Sequence, residues 1–237
     1  MKEYKECYIA VLDLLGFKDA LNNTTCETIT SIFDEINEDY NTTYDGTDIP
    51  IIEPGAIKKK VMSDTVCFYV ETTVSNALPA LIATCDYFQI RMLRLDKPML
   101  SRGAIVKGEL YHDKDVLFGN GFVHAYNMQE KAAIYPRVII DCTIIKDYQA
   151  EDSRDQKYLD LFLTVDFDGY FFSDYLAEFY ILNHDYPAWK RFMLHLNYMV
   201  ENEKDERIRA KYSYLKSSIP RVKEKFWKFD EESNHNV

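Results

Sequence analysis

The run Tyr8-Ile-Ala-Val-Leu-Asp-Leu-Leu-Gly-Phe17 constrains this chain more than any other stretch. It is continuous in apolar residues from Tyr8 to Leu12, which reads as a buried strand, and Gly16 closes it. It falls short of the ~18 residues of a membrane span and carries Asp13 within it. A buried strand needs a sheet around it, and the first 141 residues alternate strand and helix signals. Thr28–Tyr40 sets Ile29, Ile32, Phe33, Ile36 and Tyr40 at helical spacing, and Asn41–Gly55, with two glycines and two prolines, reads as a loop. Ile57–Met62 and Thr65–Glu71 read as strands joined tightly at Met62-Ser63-Asp64-Thr65. Asn76–Leu95 reads as a helix, Leu100–Gly108 as a strand, Phe122–Ala133 as a helix and Arg137–Asp141 as a strand. The order β-α-β-β-α-β-α-β predicts an α+β fold, an α/β sandwich with a ferredoxin-like split βαβ core. Its sheet is expected to be mainly antiparallel, with helices on one face.

The chain divides by character into a core over residues 1–150 and a mainly helical extension over 151–237. In the extension, Glu151–Lys157 is a charged connector and Leu159–Val165 adds a strand or short helix. Trp189, Phe192, Met193, Leu196, Met199 and Val200 form a helical stripe that packs either on the core or across a dimer. Glu206–Lys216 reads as a helix ended by Pro220, Val222–Phe229 as another, and Glu231–Val237 as a frayed tail.

Charge excludes some functions. With 28 basic against 39 acidic side chains among 237 residues, the net charge is −11. That balance argues against non-specific nucleic-acid binding, since a polyphosphate partner would be repelled over most of the surface. A small anionic ligand remains open where local cations or metal ions neutralise it. Five widely spread cysteines without a C-x-x-C pair suit reduced thiols, and the mixed-charge start Met1–Glu6 has no signal-peptide layout. A cytoplasmic protein without nucleic-acid or membrane partners is expected.

Two aspartates stand where tight turns begin: Asp13 at the end of the first strand and Asp64 at the hairpin tip. In a split βαβ core these ends are neighbours. Two carboxylates brought together there repel unless a cation lies between them, and hard oxygen ligands suit Mg²⁺ or Mn²⁺. The alternative is that both aspartates form turns or cap helices. Four of the eight glycines (Gly103, Gly108, Gly119, Gly121) cluster within nineteen residues, which marks tight turns or close approach of a ligand to the backbone. The five histidines have no metal-binding spacing, and Asp166-x-Asp168-Gly169 has too few ligands for a calcium loop.

Four segments occur in the order found in class III nucleotidyl cyclases, and together they resemble that family over residues 8–141. Tyr8–Phe17 resembles its opening strand ending Asp-x-x-Gly-Phe, and Lys60-Val-Met-Ser-Asp64 its Lys-to-Asp hairpin. Arg102-Gly-Ala-Ile-Val-Lys-Gly108 is similar to its Arg-x-Gly-Ile-x-x-Gly strand, with Gly103 and Ala104 shifted by one. Gly119-Asn120 through Met128 resembles the segment leading into its last catalytic helix. Within the family, Gly121-x-x-x-Ala125-Tyr126, Tyr135–Asp141, Asp166-x-Asp-Gly-Tyr170 and Arg209-x-Lys-Tyr212 look most like the pyrimidine cyclases of bacterial Pycsar anti-phage systems.

This resemblance implies roles for individual residues. Asp13 and Asp64, with the Leu14 carbonyl, hold two Mn²⁺ or Mg²⁺ ions. The amides of Leu15, Gly16 and Phe17 receive triphosphate oxygens, Arg102 the β/γ-phosphates, and Lys60 the base. The implied activity converts a pyrimidine nucleoside triphosphate, UTP preferred, to its 3′,5′-cyclic monophosphate and pyrophosphate. The product serves as an antiviral messenger read by a separate receptor. A cytidylate or adenylate cyclase, or a nucleotide-binding module without turnover, are the alternatives. The implied assembly is a homodimer with shared sites, in which the partner covers a helix-free sheet face and Asp64 and Lys60 serve different sites. One departure stands out: the Asn and Arg that this family sets four residues apart on its last helix fall at Val123 and Asn127. Asn127, His124, Tyr126 and Arg137 are the candidates to substitute for them. An Asp that reads adenine in some members falls at Val116, next to Asp115.

Overall fold

Strand β1 (Lys5–Leu15) lies inside an eight-stranded sheet, as its continuous apolar run requires. The computed structural model describes residues 3–37, 52–53, 55–113, 115–148, 160–182 and 185–234. After β1 come α1 (Phe17–Asn23), α2 (Cys26–Asn37), β2 (Lys58–Met62), β3 (Thr65–Glu71) and α3 (Ala77–Arg94). Next are β4 (Leu100–His112), β5 (Leu117–Phe118), α4 (Asn120–Lys131), β6 (Val138–Ile140) and a 3₁₀ turn at Cys142–Asp147. The chain ends with β7 (Leu163–Val165), β8 (Phe171–Ser173), α5 (Tyr175–Ile181), α6 (Tyr186–Asn202) and α7 (Glu206–Asn234). Residues 38–40 of the predicted helix, most of the predicted loop 41–55, the connector 151–157 and residues 235–237 of the tail lie outside the described residues.

The sheet runs β2-β3-β1-β4-β6-β8-β7, with β5 paired to β4. Its first four strands are antiparallel in the split βαβ order, and β6 joins β4 in parallel. The fold is therefore the mixed α/β architecture expected, with one correction: helices cover both faces. Tyr8, Ala10, Leu12 and Leu14 point to a large core shared with α3, α5, α6 and α7. Cys7, Ile9 and Val11 point the other way, where α4 covers them with Phe122, Ala125 and Met128. Period-two alternation along β1 thus feeds two cores, which is why the run has no polar side. Glycine explains the close seat of α4. A Cβ at Gly108 would lie 2.7 Å from the Gly121 Cα, so these two of the four clustered glycines serve the approach of helix to strand.

The C-terminal part differs from its predicted outline. Strands β7 and β8 extend the sheet, and β8 and α5 have no counterpart in the sequence reading. The Trp189–Val200 stripe packs on the core, with Phe192 and Leu196 fully buried. Pro220 does not end a helix: α7 runs through it. One missing backbone donor is outweighed by anchors on both sides, with Leu215 and Val222 in the core and Arg221 Nε donating to Asp174 Oδ2 at 2.6 Å.

Two buried polar clusters fasten these later elements. Arg137, 0% exposed, pairs with Asp166 and Asp168 of the β7–β8 turn. Its guanidinium lies 5.4–5.9 Å from the rings of Tyr135, Phe167, Phe172 and Tyr214. In the second cluster, Asp86 of α3 accepts from the Ser173 hydroxyl beside the buried Asp174 and Glu178. Burial first, and the Glu178 charge second, push the Asp86 carboxyl well above its usual range.

Candidate active site

Strand pairing brings sequence-distant candidates to one end of the sheet. Asp13 stands opposite Arg102 in the β1–β4 ladder, a position that sets facing Cβ atoms about 5 Å apart. Arg102 Nε donates to Asp13 Oδ2 at 3.2 Å, and Nη1 donates to the Ala133 carbonyl at 3.1 Å. Ala133 lies just beyond the C-terminal end of α4, where carbonyl dipoles favour a cation. The two charged side chains retain 21% and 22% exposure, so the pair is open on one side.

Asp64 reaches the same place through a turn. Ser63 and Asp64 link β2 to β3, with Ser63 at φ 59, the sign a II′ hairpin turn requires at its first position. The Asp64 carbonyl accepts from the Leu14 amide at 2.9 Å, which holds the turn against β1 one residue past Asp13. Gly16, at φ 83, then bends the chain into α1, so the amides of Leu15, Gly16 and Phe17 follow directly. A side chain there would meet open space but carry the strain of a left-handed backbone.

Lys60 stands across from Cys67, which stands across from Val11, so Lys60 shares the α4 face with Asp13 and Arg102. Two strand spacings and a two-residue offset put its Cα roughly 12 Å from that of Asp13. The remaining candidates separate. Val123 (54% exposed) and Asn127 are one turn apart on α4, opposite the buried Ala125. Among the described residues, no hydrogen bond or ion pair joins Asn127 to Asp13, Asp64 or Arg102. His124 Nε2 is 3.5 Å from Asp141 Oδ2, and Tyr126 is exposed. Arg137 is corrected: fully buried and committed to two carboxylates, it is a packing element and not a substitute donor at the site. Asp115 and Val116 belong to an exposed turn whose amides bind Asp113 Oδ1.

One residue within the Arg209-x-Lys-Tyr212 segment had no role assigned from sequence. Lys211 of α7 is half-buried, and among the described residues no hydrogen bond or ion pair engages it. Burial lowers its pKa, the Arg102 charge lowers it further, and Asp13 and Asp205 act against them. Its spacing of 109 positions from Arg102 carries no signal. Among the described residues there is no group of three or more His, Cys, Asp or Glu fit for a metal, and no helix is long and apolar enough to cross a membrane.

No family model and no curated protein matches the chain. Among solved structures, it is similar to the dimeric guanylyl cyclase domain of the RhoGC fusion protein from the aquatic fungus Blastocladiella emersonii. That likeness has 11% identity and a TM-score of 0.46 over 73% of this chain and 98% of that one. It is similar to a bacterial light-regulated adenylyl cyclase at 13% identity and a TM-score of 0.41, over 62% of this chain and 80% of that one. It is also similar to the catalytic core of a rhodopsin-guanylyl cyclase with converted specificity in complex with ATPαS. There the identity is 12% and the TM-score 0.42, over 73% of this chain and 97% of that one. At this level of similarity no substrate or partner carries over to the present chain.

Proposed function

We propose that the protein is a nucleotidyl cyclase that takes a pyrimidine nucleoside triphosphate, UTP preferred, to its 3′,5′-cyclic monophosphate and pyrophosphate. The observation that carries this reading is the joining of three motif segments at one sheet end. Asp13 and Arg102 are ion-paired, and Asp64 is hydrogen-bonded through its backbone to Leu14. Turn formation alone would explain each aspartate singly but not the seating of the Asp64 turn beside an Asp13 that pairs with a partly exposed arginine. Two hard carboxylates suit Mg²⁺ or Mn²⁺, which keep water and substrate phosphates in their remaining positions. Asp13, Asp64 and the Leu14 carbonyl would hold two such ions. When bound, they supply acidity to the ribose 3′-hydroxyl and positive charge to the α-phosphate and departing pyrophosphate.

The chain's own residues then have defined tasks. Arg102 keeps Nε on Asp13 and Nη1 on Ala133, and presents its outer edge to the β/γ-phosphates, where a fixed charge assists the leaving group. The amides of Leu15, Gly16 and Phe17 bind phosphate oxygens, and Asn127 donates to the reacting phosphate. The distance from Lys60 to Asp13 fits base recognition in the companion site of a homodimer. The choice of uracil and a role as an antiviral messenger rest on the sequence resemblance. Val123, in place of a transition-state donor, favours a second reading: a module that binds the nucleotide without turnover.

The test presents purified protein with each of the four ribonucleoside triphosphates and Mn²⁺, with products separated by chromatography. Cyclic UMP as the main product is expected. Another cyclic nucleotide in its place would overturn the base assignment, and binding without any cyclic product would leave the second reading.

A further inference from the structure

We propose that Gln89, buried in α3, is a positioning residue for Arg102. The inference rests on the cyclase reading for what Arg102 holds, and it adds a side chain from outside the four motif segments. The register of β4 leads to it. Odd-numbered residues of β4 turn their backbone groups toward β6: the Gly103 amide donates to the Arg137 carbonyl at 3.0 Å, and the Asp141 amide donates to the Ile105 carbonyl at 2.9 Å. One step back along this parallel ladder, the Arg137 amide would donate to the Ser101 carbonyl. It donates instead to the Tyr135 carbonyl at 2.8 Å, and β6 begins only at Val138. The carbonyl of Ser101, a residue 2% exposed, is therefore left without a strand partner just where the chain enters Arg102. Gln89 Nε2 takes the place of that partner, donating to it at 3.1 Å.

Gln89 is as deeply buried as Ser101, and its placement is rigid. Its neighbours Phe88, Ile90 and Met92 are core residues, and the Met99 amide donates to the Met92 carbonyl at 3.0 Å, which ties the end of α3 to the start of β4. Packing alone does not call for a glutamine here. Among the described residues Gln89 Oε1 has no hydrogen-bond partner, whereas methionine would fill a similar volume and leave no buried acceptor unmet. What the amide supplies is control of one rigid peptide plane, shared by the Ser101 carbonyl and the Arg102 amide. On one edge that plane faces β1, where Asp13 stands opposite Arg102. Gln89 holds the other edge. The plane sets the direction in which the Arg102 side chain leaves the strand, and its guanidinium must reach Asp13 and the Ala133 carbonyl together. Without Nε2 the Ser101 carbonyl is a buried orphan, and the plane tilts toward another donor. Gln89 thus acts on the phosphates only through Arg102.

Two measurements test this role. Nitrogen-15 NMR of the Arg102 Nε–H group, identified by its loss in Arg102→Lys, needs neither ligand nor turnover. Gln89→Met should shift that signal and speed its exchange with water, and Gln89→Leu gives the same reading should the methionine variant not fold. Thr84→Val removes a buried hydroxyl of the same helix, which donates to the Ala80 carbonyl at 2.8 Å, and should leave the signal in place. An unmoved signal in Gln89→Met, or an equal shift in Thr84→Val, would overturn the inference. The second measurement is a mutant cycle on the affinity for inorganic tripolyphosphate with Mg²⁺, read by titration calorimetry. Gln89→Met should weaken binding roughly three- to tenfold, the scale of one hydrogen bond, and should add nothing further in an Arg102→Ala background. An equal loss in both backgrounds, or none in either, would make Gln89 a packing residue and overturn its action through Arg102. No binding by the wild type would overturn the cyclase reading of the site, and the Arg102 signal would then decide the role of Gln89 by itself.

Discussion

Arg137 is the most exacting test of how the chain beyond residue 160 is fastened to the sheet. Its guanidinium is fully buried, paired with Asp166 and Asp168, and enclosed by four aromatic rings. Truncation to alanine leaves the Asp166 carboxylate, itself 9% exposed, without its cation and opens a void among the rings. Removing one member of a buried ion pair costs about 3–5 kcal/mol, because the survivor stays desolvated and unpaired. For a chain of this length each kcal/mol moves the melting temperature by roughly 2–4 °C, so Arg137→Ala should melt roughly 6–20 °C below the wild type. Scanning calorimetry and urea denaturation give the two readings. The charge-free triple variant Arg137→Met, Asp166→Asn, Asp168→Asn should recover much of the loss, since it buries no unpaired charge. A loss below about 1 kcal/mol in Arg137→Ala, or a triple variant no better than the single one, would refute the assignment of a buried, desolvated pair.

The other expectations concern the site, the buried acids and assembly. Arg102→Ala should weaken binding of the nucleoside triphosphate but hardly affect the cyclic product, which lacks the phosphates it holds; equal weakening of both, seen by calorimetry, would make Arg102 a structural partner of Asp13. Asp86 has a raised folded pKa, so its stability contribution is fullest below the unfolded value near 4 and declines as pH rises toward the folded value. Urea midpoints of the wild type should therefore fall as pH rises above about 4 more steeply than those of Asp86→Asn, and parallel profiles would refute the raised Asp86 pKa. In a homodimer with shared sites, Asp64→Asn and Lys60→Ala chains should each be inactive alone, while tandem-purified mixed dimers recover up to about half the wild-type rate. Recovery no greater than the mean of the parents would mean that each site is built within one chain.

Much of the first 140 residues was legible because local signals and tertiary demands agree there. The Tyr8–Leu12 run, the hairpin around Asp64 and the strand from Leu100 all carry their own periodicity, and antiparallel pairing then fixes which residues meet. Asp13 opposite Arg102 follows from that register alone. The cover of α4 on the second face was not legible, since β1 is apolar on both sides and the close Gly108–Gly121 approach that seats this helix emerges only in the fold. Pro220 misled because a helix-breaking preference of a few kcal/mol was overridden by anchors on both sides of it. Arg137 misled as a candidate donor because its partners lie about thirty residues ahead, in a turn with no periodic signal.

The central claim is that Asp13 and Asp64 direct an internal attack on the α-phosphate. Phosphorus-31 NMR of UTP incubated with Mg²⁺ and the wild type, Asp13→Asn or Asp64→Asn follows that bond directly. The wild type should convert UTP into equal amounts of pyrophosphate and a cyclic phosphodiester, and both folded variants should leave UTP unchanged. Orthophosphate as the wild-type product, or cyclic product formed equally well by Asp64→Asn, would contradict it.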